Sequence, residues 1–204
     1  MKTIVYVLGV LFLGLAGSQM QAGPLITVTS PGTVYPGAQY TLGFEFHALT
    51  NVVVTALGTF DSGNGLSTSV PVGIWDTSGN LLDSATVPAG SAGTLDGYFR
   101  YTAIVPFVLT AGTNYVIGSY YPGNSSSYNT HQSGSGSVDP EFVIVVDRYN
   151  QAAAFAYPDL TDNYSGGAWV GANLEYQSGV PEPSVLWMAG AGLLGLIAYG
   201  RRRK

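Results

Sequence analysis

Between residues 23 and 179 the chain alternates apolar and polar positions with a period of two. Over 39–47, Tyr40, Leu42, Phe44 and Phe46 share one side and Thr41, Gly43, Glu45 and His47 the other, as successive side chains of a strand do. The first set is expected to line a core. Further runs rich in branched and aromatic residues predict strands over 25–30, 52–60, 70–76, 81–87, 95–103, 114–121, 142–149, 152–157 and 168–177. Turn chemistry falls between them at Pro31-Gly32, Pro36-Gly37, 61–65, Ser78-Gly79-Asn80, Ala89-Gly90-Ser91 and 111–114. Residues 74–82 read as one hairpin with Ser-Gly-Asn at its tip. Short strands at this spacing, with no amphipathic helix before Val180, predict an all-β antiparallel sandwich or jelly-roll-like domain. The stretch 121–140 is poor in aliphatic residues and rich in Ser, Gly and Asn. It predicts a long loop, either a connector or a ligand-contacting segment.

The two ends depart from this pattern. Residues 1–22 carry Lys2, an apolar run over 4–16, and a small and polar stretch closing on Gln19-Met20-Gln21-Ala22. That is the layout of a secretory signal peptide. Cleavage is expected after Ala22, with Ser18 as the alternative. At the other end, Val180, Pro181, Glu182 and Pro183 precede an uncharged apolar run over 185–200, which Arg201, Arg202, Arg203 and Lys204 close. As a helix the run would rise about 24 Å, short of a hydrocarbon core of roughly 30 Å. Local thinning and snorkelling of the basic tail cover the difference. The basic tail predicts a cytoplasmic C-terminus and an exported middle. The expected division is therefore a signal peptide over 1–22, an ectodomain over 23–179 and a membrane segment over 180–204.

Charge sharpens this picture. The formal net charge is −5, but five of the seven cations lie in the two ends. Between residues 23 and 179 only Arg100 and Arg148 face eleven carboxylates, a net of −9. Such a domain repels phosphate backbones, so no nucleic-acid partner is expected. Cysteine is absent, so packing and hydrogen bonds must hold the fold without disulfides or thiolate metal sites. No cofactor is expected.

Candidate chemistry is sparse. The chain has two histidines, His47 and His131, and lacks a Gly-x-Ser-x-Gly nucleophile signature. Eleven scattered acids do not establish a facing pair for glycoside cleavage. No enzymatic role is expected, and a secreted hydrolase ranks last among the classes. Glu45 and His47 share a strand face and could begin a metal site, although a solvated outer face is the plainer expectation. Asp61 and Asn64 form an oxygen-rich loop, and Asp159, Asp162 and Asn163 a second. Without the spacing of a helix-loop-helix calcium site, both are expected to be plain turns. Trp75 and Trp169 are the candidates for stacking on sugar rings in a carbohydrate-binding module. Asn124-Ser125-Ser126 and Asn163-Tyr164-Ser165 fit the glycosylation sequon, a pattern short enough to occur by chance.

Two resemblances add to this reading. Leu42-Gly43-Phe44-Glu45-Phe46, Ala56-Leu57-Gly58, Val72-Gly73-Ile74-Trp75, Gly79-Asn80-Leu81-Leu82 and the stretch from Leu109 to Tyr115 are similar to an uncharacterised β-sandwich domain of secreted bacterial proteins. That resemblance covers about residues 38–122 and implies a fold but no activity. Val180-Pro181-Glu182-Pro183, the apolar run and the Arg-rich end resemble the PEP-CTERM sorting signal of Gram-negative bacteria. This second resemblance implies exosortase, a membrane-embedded cysteine peptidase, as partner. It further implies cleavage near Pro181-Glu182-Pro183, release or transfer to the cell surface, and a setting of exopolysaccharide and biofilm.

Overall fold

The computed structural model describes residues 22–31, 34–36, 39–123, 127–129, 135–161 and 169–178. Two antiparallel sheets face each other. The first runs in the order β1 (Ala22–Pro24), β14 (Ala172–Ser178), β5 (Val52–Phe60), β9 (Phe99–Leu109), β8 (Thr94–Asp96). The second runs β13 (Phe142–Asn150), β4 (Gln39–Ala48), β10 (Asn114–Pro122), β6 (Val70–Asp76), β7 (Leu81–Val87). Two ribbons complete the described strands: β2 (Ile26–Ser30) pairs with β12 (Ser135–Val138), and β3 (Val34–Pro36) with β11 (Ser127–Asn129). The all-β antiparallel expectation is met. β11 and β12 fall inside the stretch expected to be loop. Among the described residues no helix is long and apolar enough to cross a membrane. Residues 1–21 of the expected signal peptide, and the 180–204 segment with its expected membrane helix and basic tail, lie outside the described residues.

The core forms between the inner faces of the two sheets. Phe44, Phe46, Ile74 and Ile117 from the second sheet and Val54, Leu57, Leu109 and Leu174 from the first are all buried. Phe142 of β13 meets Tyr176 of β14 edge to face at 4.9 Å, a geometry aromatic pairs prefer. One set of buried polar groups in this layer is matched internally. The Tyr121 hydroxyl lies 3.2 Å from Thr59 Oγ1, which donates to the Gly171 carbonyl at 3.2 Å. A side chain at Gly171 would meet the Tyr121 oxygen at 2.2 Å, so this crossing of the two sheets requires glycine.

Three expectations need correction. Residues 95–103 are not one strand: β8 and β9 are joined by a two-residue turn in which Gly97 has φ 55°. Gly97 at the first loop position is the local hairpin signal. Beyond Ala103 the strand continues to Leu109 across a bulge. Residues 152–157 form no strand. They belong to a strap over 151–161 whose residues 155–158 lie on the outer face of the second sheet. Lastly, the polar side of β4 does not face water, since Thr41 and Glu45 are buried.

The strap explains that burial. Gly43, Gly118 and Gly73 are directly opposite one another on β4, β10 and β6, a row without side chains across the outer face. Phe155 and Pro158 occupy it: a Cβ on Gly73 would lie 2.6 Å from the Phe155 ring, and one on Gly118 3.3 Å from Pro158. The Ala156 amide donates to Thr41 Oγ1 at 3.3 Å, and the Tyr157 hydroxyl to the Thr77 carbonyl at 3.2 Å. Reciprocal Tyr149–Leu160 backbone bonds of 2.9 Å tie the strap back to β13. Alternating aromatic residues made 152–157 read as a strand, and those side chains are what fix the strap to the sheet.

A Cβ on Gly43 would sit 1.8 Å from the Ile117 carbonyl oxygen and 2.7 Å from Gly118 Cα, both backbone. Gly43→Ala is expected to lower stability by about 3 kcal/mol, the upper end of overpacking costs. Gly23→Ala, where nothing lies within 4 Å, should stay within about 0.5 kcal/mol. Urea unfolding midpoints of the two variants check this.

Candidate functional site

One polar cluster lies on the outer face of the second sheet. Glu45 of β4 is bridged by Arg148 of β13 through Nε at 3.1 Å and through Nη2. Its other oxygen accepts from Asn114 Nδ2 at 2.7 Å, and Asn114 Oδ1 lies 2.7 Å from His47 Nδ1. The register puts them together: Asn114 is opposite His47, and Val143 and Arg148 of β13 are opposite His47 and Gly43. Glu45 and His47 do share a face as the alternation predicts. Each is engaged by a neighbour, however, and no group of three acidic or histidine side chains suited to a metal occurs among the described residues. Arg148 and Asn114 were invisible to local reading, because they reach Glu45 from 103 and 69 residues away in sequence.

Trp75 of β6 is on this face too, 3% exposed. Phe155 covers its ring at a centroid distance of 5.2 Å and Tyr157 at 6.0 Å. Stacking on a sugar would require both rings to leave. Trp169 is half-buried against the core, and its backbone amide donates to the Gly43 carbonyl at 3.3 Å. The two tryptophans therefore do not form a common exposed platform. Burial holds the Tyr157 hydroxyl above its ordinary range, with Arg148 acting in the opposite direction.

The first oxygen-rich loop is closed by internal donors. Asp61 Oδ1 accepts from the amides of Gly63 at 2.9 Å and Gly65 at 3.1 Å, while Oδ2 accepts from Arg100 Nε at 2.6 Å. Arg100 Nη1 donates to the carbonyls of Ser91 at 2.8 Å and Gly93 at 3.1 Å. Both charges are buried, and each is met by opposite charge and hydrogen bonds, the condition for tolerating ions in a core. These N–H groups and the guanidinium engage both carboxylate oxygens of Asp61. In the second cluster, Asp159 accepts from Asn150 at 2.8 Å, while Asp162 and Asn163 lie outside the described residues. The same Asx geometry recurs at the β6–β7 turn. There the Asn80 side-chain amide, then its backbone amide and those of Ser78 and Gly79, hold Asp76 below the usual carboxylate range.

On the opposite side of the sandwich, β2 covers part of the outer face of the first sheet. A cleft of about 120 Å³ opens between Ile26, Thr27 and Val28 and the β8–β9 residues Asp96, Phe99 and Tyr101. Burial, and then the Glu175 and Asp96 carboxylates, push the Tyr101 phenol up, so it stays neutral. Asn173 of β14 fixes the backbone of Ile26, accepting from its amide at 3.1 Å and donating to its carbonyl at 2.7 Å. Burial first, and Asp96 second, also raise the Glu175 carboxyl above its ordinary value.

Two measurements follow. Asp61→Ala strands the buried Arg100 charge and is expected to cost about 3–5 kcal/mol, while calcium added to the wild-type protein should leave its Tm unchanged. For Glu175, the native state holds the proton more tightly than the unfolded chain does. Its stabilising contribution is full below the unfolded-chain pKa and is lost as pH rises through the higher native value. Glu175→Gln should therefore raise Tm at pH 7, with the gain vanishing below about pH 4, as thermal scans across pH will read.

Comparison with known families adds the last observation. A family model described as domain of unknown function (DUF4082) matches residues 25–170. A second, described as PEP-CTERM protein-sorting motif, matches residues 179–204. No curated protein matches the chain. The sorting motif marks an exported protein processed by exosortase. It starts one residue after β14 ends at Ser178.

Proposed function

From a chain that belongs to the DUF4082 family and carries a PEP-CTERM sorting motif directly after its sandwich, we propose a non-enzymatic surface protein whose C-terminal segment is a temporary anchor. Residues 185–200 hold it in the inner membrane with Arg201–Arg203 and Lys204 on the cytoplasmic side. Exosortase then cuts near Pro181-Glu182-Pro183, and the sandwich passes to the cell surface. There it serves a structural or adhesive role in an exopolysaccharide matrix.

The observation that carries the reading is the sorting motif itself, with its proline-flanked glutamate, uncharged run and basic end in order over 179–204. The closed polar clusters are consistent with a non-catalytic role. The Glu45 and Asp61 carboxylates are engaged by Arg148 and Arg100. The acidic ectodomain favours uncharged polymers, cations or proteins over anionic partners.

Intact-mass spectrometry of protein recovered from the cell surface tests this. The expected species lacks Arg201–Arg203 and Lys204. Glu182→Ala, or deletion of those four residues, should make the full-length form accumulate in the membrane fraction. Surface material that still carries Lys204 would overturn the reading.

A further inference from the structure

The sandwich holds the chain almost up to the sorting motif. β14 lies inside the first sheet, between β1 and β5. On one side Tyr176, Gln177 and Ser178 are opposite Val54, Val53 and Val52; on the other, Tyr176 and Gln177 are opposite Gly23 and Ala22. Ser178 and Tyr176 are buried, and Tyr176 is the ring against which Phe142 packs. Only Gly179 and Val180 separate the last paired residue from Pro181. Three residue steps span at most about 10 Å of extended chain.

The surface around this exit is braced. The Gly112 amide donates to the Ala48 carbonyl at 2.8 Å, the Leu49 amide to the Glu141 carbonyl at 2.8 Å, and the Ala111 amide to Asn51 Oδ1 at 2.7 Å. These bonds join the β4–β5, β9–β10 and β12–β13 connections into one rim beside Ser178. A peptidase that binds its substrate as an extended strand uses the backbone groups of several residues before the bond it cuts. On β14 those groups are already engaged by the sheet.

We propose that cleavage of this chain is gated by its own fold: the end of β14 must peel from β5 before the peptidase can engage the residues that lead into Pro181-Glu182-Pro183. The proposal rests on the processing reading above. Its physical basis is that cleavage of a locally opened segment tracks the population of the open form. β1 makes opening feasible on one side, being a three-residue strand at the sheet edge with Ala22 exposed. β5 resists it on the other along the whole length of β14.

The test follows conversion of the full-length chain to its processed form in cells that contain the peptidase, by pulse-chase and intact mass. One variant inserts six Gly/Ser residues between Ser178 and Gly179, giving the peptidase free chain. Another, Val53→Cys with Gln177→Cys, joins partners directly opposite across β5 and β14. Neighbouring antiparallel strands fall within the Cα separation a disulfide needs, and the chain has no other cysteine. Conversion should be several-fold faster with the insertion. It should be several-fold slower in the oxidised double-cysteine variant, with each single-cysteine variant converting as wild type does. Thermal unfolding of the purified sandwich controls for damage to the fold, since the insertion should leave Tm unchanged and the cross-link should raise it. Equal rates in all variants overturn the gate and leave the processing reading standing. A wild-type chain that is never converted overturns both.

Discussion

Covering both sides of the second sheet is the constraint around which the rest is arranged. A two-sheet sandwich ordinarily buries one face of each sheet and leaves the other wet. Here Gly73, Gly118 and Gly43 stand directly opposite one another across three strands, and the missing side chains leave a trench on the outer face. The strap fills it with Phe155 and Pro158. Once it is there, Trp75 becomes interior and Thr41 a hydrogen-bond partner for the strap. Glu45 must then find Arg148 and Asn114, because an unpaired carboxylate cannot remain where water is excluded.

The same logic recurs on the other sheet. β2 lies along part of its outer side, with Asn173 pinning the backbone of Ile26 through both a donor and an acceptor. Coverage there is less complete, and the cleft near Tyr101 is what remains open. The ionic groups at the sandwich ends follow the rule as well. Asp61 and Arg100 are both buried and are held by each other and by backbone groups of two connections, β5–β6 and β7–β8. An acidic domain with two cations places each on a carboxylate.

The functional segment and the fold meet at Ser178. Because β14 is an internal strand, the sandwich holds its exit point firmly, and the sorting motif begins without a spacer. On the proposed reading, a tether this short would couple processing of the motif to the stability of one strand end, in a way a long linker would not. The N-terminal side shares the location, since Ala22 is opposite Gln177. Signal-peptide cleavage after Ala22 would take one of the three residues of β1, whereas cleavage after Ser18 would leave the strand whole.

Period-two alternation, turn residues and the run of prolines, apolar residues and arginines after Val180 were sufficient to reach an all-β sandwich and a sorting segment. These are local properties: a strand side follows from neighbours two apart, and a sorting segment is continuous in sequence. The split at Gly97-Tyr98 carried a glycine signal that the reading of 95–103 as one strand passed over. Other features depended on register. That 152–157 would lie on the sheet face and not at its edge depended on glycines from three distant strands coinciding. That Glu45 would be paired depended on Arg148 arriving from 103 residues away. Trp75 looked like a candidate ligand contact because a strand aromatic reads alike whether water or a strap covers it. Such features are decided by which residues become neighbours across strands, and only tertiary structure settles that.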